Sequence, residues 1–157
     1  VMNELDVPVL CMGLKDIVVS ARAQGILVAD RKESSQIKPF VEQIDQRIMF
    51  AEKSWGEFQV LDVSEGSMTI KIKLNPGQRM NYHSHERRNE IWNIISGRGR
   101  TIVDGMEQLI EAGDVITMQA GCCHTIIADT ELKVIEVQLG QEINVHDKQK
   151  YDLEGYE

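Results

Sequence analysis

An all-β fold of the jelly-roll type, carrying a short α/β appendage at its N-terminus, is predicted for this chain by three observations. From Trp55 onward the sequence breaks into short apolar and β-branched runs separated by glycines. Inside those runs apolar and polar residues alternate, as with Met68, Ile70, Ile72 and Leu74 against Thr69, Lys71 and Lys73. Asp104-Gly105, set between two runs, is a tight-hairpin signal. Many short strands joined by frequent turns close into a sandwich or barrel.

Taken in order, the segments 16–19 and 25–29 are short, β-branched and bounded by polar residues, which predicts two strands. Ser34-Ser35 read as helix-starting residues, and Ile37, Phe40, Val41 and Ile44 fall at helical spacing through Arg47. Pro39 must then occupy the first turn, or the helix is shorter. Beyond residue 50 strands are expected at 68–74, 91–95, 100–103, 108–110, 115–118, 124–128 and 132–139. Lys71 and Lys73 are read as outward and solvated. The tail after Gly140, rich in charge and poor in apolar spacing, is expected to be loosely ordered. The domain reading is an appendage over 1–48 and a β-domain over 49–157.

The chemistry concentrates in two glycine-bounded blocks. Gly77 to Gly97 follows the pattern G(X)5HXH(X)4E(X)6G, and Gly113 to His124 follows G(X)7G(X)2H. In an extended strand side chains alternate faces, so His83 and His85 share one. A turn after His85 lets the next strand present Glu90, and His124 arrives from a third strand after the turn signal Ala120-Gly121. Neutral imidazole with carboxylate suits zinc, manganese, iron, nickel or cobalt without choosing between them, and zinc is the ion expected. The metal ligands are therefore read as His83, His85, Glu90 and His124.

Composition bounds the partners. A chain of 157 residues is long enough for one core-bearing domain with a small appendage. Its net charge of -8 repels polyanions, so nucleic acid is not an expected partner. Apolar runs are too short for a membrane span and no signal-peptide pattern is read at the start, so a cytoplasmic location is expected. Cys11 stands alone and Cys122 and Cys123 are adjacent, which predicts three free thiols. His146, in the polar stretch 144–150, is expected to be solvated.

The paired blocks resemble the two motifs of the cupin superfamily, which implies a double-stranded β-helix. The second block departs from the family at Gln119, where a proline is usual, and at Ala128, where an asparagine is usual. The flanks carry a finer resemblance: Trp55-Gly56, Gly77-Gln78-Arg79, Glu90-Ile91-Trp92, Ser96-Gly97 and the run Ile-Glu-Val-Gln-Leu-Gly ending at Gly140. In this order they resemble the C-terminal cupin of the bifunctional mannose-1-phosphate guanylyltransferase/mannose-6-phosphate isomerases, the type II phosphomannose isomerases, over residues 50–152. That family usually has glutamine where His83 stands, so His85, Glu90 and His124 transfer more directly. The segment 9–41 is similar to the end of the nucleotidyltransferase domain that precedes the cupin in that family. It is a stub without a glycine-rich nucleotide loop and with Gln24 in place of a usual Asp, so nucleotidyl transfer is not expected from this chain alone.

The resemblance implies a metal-dependent isomerase that interconverts mannose 6-phosphate and fructose 6-phosphate in GDP-mannose synthesis. Its chemistry needs a Lewis acid at O1 or O2 and a base near the migrating proton. Glu136 is the candidate catalytic base, with metal-held solvent as its rival. Arg79, Asn81, Arg87, Arg88 and Gln138 are the candidate substrate-binding residues, the arginines because a planar guanidinium suits phosphate. Arg79 and Asn81 are taken in phase with His83 and His85, and Arg87 and Arg88 are placed at the cavity mouth. The alternatives are a non-catalytic sugar-phosphate-binding or regulatory cupin and a metal-dependent dioxygenase. A homodimer is expected from the resemblance.

Overall fold

A computed structural model describes residues 1–5, 7–22, 25–42, 48–144 and 146–153. The chain divides into two compact units, Val1–Phe50 and Ala51–Glu157. In the first, β1 (Met2–Asn3), β2 (Ile17–Arg22) and β3 (Gly25–Asp30) form one sheet, with β1 parallel to β2 and β2 antiparallel to β3. The strands expected at 16–19 and 25–29 are β2 and β3; the two-residue β1 carries no sequence signal of its own. The helix expected from Ser34 is different in kind. Ser34 and Ser35 lie in a 3-10 turn, Glu33–Gln36, and the α-helix α1 spans only Lys38–Val41, with Pro39 in its first turn. Phe40 and Val41 are exposed there. Ile44 and Arg47 lie outside the described residues.

The second unit consists of β4 (Phe50–Lys53), β5 (Gly56–Ser64), β6 (Ser67–Leu74), β7 (His83–Ser84), β8 (Asn89–Ser96), β9 (Arg98–Val103), β10 (Met106–Glu111), β11 (Val115–Met118), β12 (His124–Ala128), β13 (Leu132–Leu139) and β14 (Gln149–Lys150). They form two sheets, one in the order β11-β8-β13-β6-β5-β4 and one in the order β10-β9-β12-β7-β14. This is the jelly roll predicted, because each strand carries one apolar face. Ile70, Ile72, Leu74, Trp92, Ile94, Leu132 and Val134 from the first sheet, and Ile102, Ile110, Ile126 and Ala128 from the second, are buried. Between β9 and β10 the left-handed pair Asp104 (φ 49) and Gly105 (φ 78) makes the primed hairpin turn anticipated from sequence.

Lys71 is exposed as expected, whereas Lys73 is half-buried and lies 3.7 Å from Glu131. The tail is corrected more fully. Residues beyond Gly140 return to the sheet, where β14 pairs with β7 in the register Gln149↔Ser84 and Lys150↔His83. Charge-rich composition hid that strand, because its pairing depends on main-chain groups rather than on an apolar face. Among the described residues no helix is long and apolar enough to cross a membrane.

Candidate metal centre

The four predicted ligands come together. His83 lies on β7 directly opposite His124, the first residue of β12, and His85 follows one residue after β7. Glu90 belongs to β8 in the other sheet, so the cluster lies where the two sheets face each other. All four are at most 3 % exposed, and one ligand atom from each lies within 4.8 Å of the others. The ring centroids of His83 and His124 are 4.4 Å apart, and those of His83 and His85 4.8 Å.

The tautomers follow from the hydrogen bonds. A carbonyl oxygen can only accept, so each neutral ring must carry its proton on Nδ1: His83 donates to the Asn81 carbonyl at 2.6 Å, His124 to the Cys122 carbonyl at 3.0 Å, and His85 to the Asp147 carbonyl. Each Nε2 is then left with a lone pair. His85 Nε2 and His124 Nε2 each stand 3.1 Å from a Glu90 oxygen. The Arg88 guanidinium meets the His85 lone pair, whereas the His124 lone pair faces a Glu90 oxygen directly, a repulsion that a cation between them would relieve. The donor set, its burial and its carbonyl-oriented imidazoles therefore fit a divalent metal.

Electrostatics supports that reading. Burial, the positive charge of Lys148 and the neighbouring His124 push His83 down to about 3, and burial also lowers His85, so both rings are neutral ligands at neutral pH. Burial alone would raise Glu90, but the close imidazoles of His124 and His85 and the Arg88 guanidinium together hold it at about 2. Glu90 is thus a carboxylate throughout the working range.

The remaining predicted residues are distributed unevenly. Glu136 on β13 faces inward, opposite Trp92 of β8, and accepts from Trp92 Nε1 at 2.9 Å and from Gln138 Nε2 at 2.5 Å. Burial first, and the negative charge of Glu90 second, raise Glu136 to about 7. Gln138 is buried beside it. Arg88 is not at the mouth. It is buried, donating from Nε to Glu90 Oε1 at 2.9 Å, from Nη2 to His85 Nε2 at 2.9 Å and from Nη1 to the Asn144 carbonyl at 3.1 Å. Arg87 is exposed as expected and is paired with Glu142. Arg79 and Asn81 are exposed, because residues 75–82 do not form a continuous strand and the alternation of His83 and His85 does not extend back through them. Asn81 serves the site through its carbonyl instead.

Two groups escaped the sequence reading. Asp147, from the tail, holds the loop that carries the ligands, and Lys148 brings a positive charge toward His83. Neither has a motif signal, since both act from a segment folded back onto β7. Cys122 and Cys123 are free thiols and half-buried, and His146 is exposed, as anticipated.

The family model described as "Mannose-6-phosphate isomerase C-terminal" matches residues 42–152. The chain belongs to this family. It is similar to mannose-1-phosphate guanylyltransferase ManC of Salmonella typhimurium, 26% identical over 153 residues covering 92% of this chain and 32% of that protein. It is similar also to mannose-1-phosphate guanylyltransferase of Escherichia coli, 26% identical over 148 residues covering 88% of this chain and 31% of that protein. The chain therefore spans about a third of the length of these curated relatives. A Klebsiella pneumoniae protein with a double-stranded β-helix domain superposes with a TM-score of 0.55 at 18% identity, covering 60% of this chain and 83% of its own. That likeness shows a shared double-stranded β-helix fold.

Proposed function

We propose that this cupin is a metal-dependent isomerase that interconverts mannose 6-phosphate and fructose 6-phosphate, acting in GDP-mannose synthesis as part of a guanylyltransferase/isomerase. The observation that carries the reading is the pairing of a four-ligand centre with Glu136, a second, inward carboxylate on β13 raised to about 7. His83, His85, Glu90 and His124 would hold a divalent metal, zinc first, which when bound would supply Lewis acidity toward the substrate oxygens. Glu136 then moves the proton between C1 and C2, since a base that titrates near neutrality is matched to that task. Trp92 and Gln138 fix the direction of its carboxylate. Lys148, whose positive charge acts on His83, is the cation offered to the substrate phosphate.

A second reading, a cupin that binds a sugar phosphate without turning it over, draws on one observation. Arg87 and Arg88 are both engaged by partners within the chain, so neither is a ready phosphate clamp. Coupled-assay turnover of mannose 6-phosphate separates the two. Protein stripped with chelator and refilled with zinc, manganese, cobalt or iron regains turnover under the first reading. Metal uptake without turnover would establish the second.

A homodimer is proposed on the outer face of the larger sheet, where Ile95, Val115 and Leu139 are exposed on β8, β11 and β13. Sedimentation equilibrium tests it. A cytoplasmic setting, with small-molecule substrates rather than nucleic acid or membrane, is part of the same proposal.

A further inference from the structure

Two of the three imidazoles are oriented locally, each by the carbonyl two residues earlier on its own segment: Asn81 for His83 and Cys122 for His124. His85 differs, because its Nδ1–H reaches the carbonyl of Asp147, 62 residues further along the chain. Asp147 is itself held in place by the loop that follows His85. Its Oδ1 accepts the Glu86 N–H at 2.9 Å and its Oδ2 accepts the Arg87 N–H at 3.0 Å. Asn144 completes the junction, with its side-chain oxygen accepting the N–H groups of His146 and Asp147 at 2.9 and 3.0 Å and its carbonyl receiving Arg88. Beyond it, β14 pairs with β7, and the Tyr151 hydroxyl lies 3.0 Å from Ser84 Oγ.

We propose that Asp147 is a positioning residue of the metal centre, and that docking of its carboxylate on the Glu86 and Arg87 amides sets the ring of His85 for coordination. The proposal rests on the metal reading given above. Groups that orient a metal-bound imidazole through its second nitrogen typically change metal affinity 10- to 100-fold when removed. Here the orienting atom is a carbonyl that no substitution deletes, so its placement depends on the carboxylate beside it. Asp147→Ala releases that carboxylate and leaves the four ligands intact. Asp147→Asn keeps one acceptor oxygen for the two amides.

The test uses the full chain, with cobalt affinity read from its visible absorption and zinc affinity by competition, and with the His85 Nδ1–H proton followed by NMR in the metal-free protein. In Asp147→Ala, cobalt and zinc binding weaken roughly 10- to 100-fold. The His85 Nδ1–H resonance is lost to solvent exchange in that variant while those of His83 and His124 persist. Asp147→Asn lies between Asp147→Ala and the parent on both measures, and retention of the His83 and His124 resonances reports that each variant is folded. Unchanged metal affinity in Asp147→Ala would overturn the proposal, whether or not the resonance is lost. If the parent chain binds no metal, the metal reading fails on its own, and retention of the His85 resonance in Asp147→Ala would then overturn the positioning role separately.

Discussion

Trp92 Nε1–H donates to Glu136 Oε2 at 2.9 Å, joining β8 and β13 across directly paired positions inside the barrel. The bond stabilises the ionised carboxylate, against burial and the charge of Glu90, which raise Glu136. Trp92→Phe removes that donor, so the Glu136 pKa rises further and the acidic limb of the kcat profile moves to higher pH. Glu136→Gln keeps the shape and removes the proposed base, and is expected to lower mannose 6-phosphate turnover about 10²- to 10⁴-fold with little change in metal affinity. Steady-state turnover across pH, with metal content measured on the same samples, checks both.

Arg88 neutralises Glu90 within the protein, and its loss leaves a buried carboxylate without its cation. Arg88→Met is expected to destabilise the metal-free protein by about 3 kcal/mol. The loss is smaller after zinc loading, because the ion then takes over part of the neutralisation. Urea unfolding with and without zinc measures the difference.

Much of the site was legible because the ligands lie in regular strands or at their ends. His83 and His85 share a face by period-two alternation, Glu90 follows a turn, and the strands 115–118, 124–128 and 132–139 match the observed bounds. Arg88 was misplaced because the direction of a loop side chain is decided by what packs on it, here Asn144 and Glu90. Arg79 and Asn81 were misplaced because alternation was extended through 75–82, where strand hydrogen bonding is interrupted. Asp147 and β14 were invisible for a related reason. Their contribution is main-chain pairing and capping in a stretch whose composition resembles that of a solvated tail.

Protonation of the ligands links stability to pH. His83 is neutral when folded down to about 3, whereas the unfolded chain takes up its proton near 6.5. The stability this neutral ring contributes is complete above pH 6.5 and falls as pH drops through that window. His85, also lowered by burial, acts in the same direction. Glu136 acts oppositely, since its raised pKa makes stability fall as pH rises from 4.5 through about 7. With two histidines set against one carboxyl, the thermal midpoint of the metal-free protein should fall as pH drops from 6 to 4, and His83→Gln should lessen that slope. Scanning calorimetry across this range provides the check.

Gly140 closes β13 against the ligand loop. A Cβ there would stand 2.4 Å from the Arg87 carbonyl oxygen and 3.1 Å from Arg88 Cβ. Gly140→Ala must push that loop away, at a cost of about 1–3 kcal/mol. Because Arg88 and His85 share the loop, zinc affinity should fall together with stability, which competition titration alongside urea unfolding would show.

The proposed metal centre brings three imidazoles and one carboxylate together where they would hold a divalent cation. Elemental analysis after equilibration with zinc and gel filtration tests it most directly, on the parent chain and on His124→Ala. One zinc per parent chain, and far less than one in His124→Ala, is the predicted result. A parent chain that retains no metal, or a variant that retains as much as the parent, would rule this centre out.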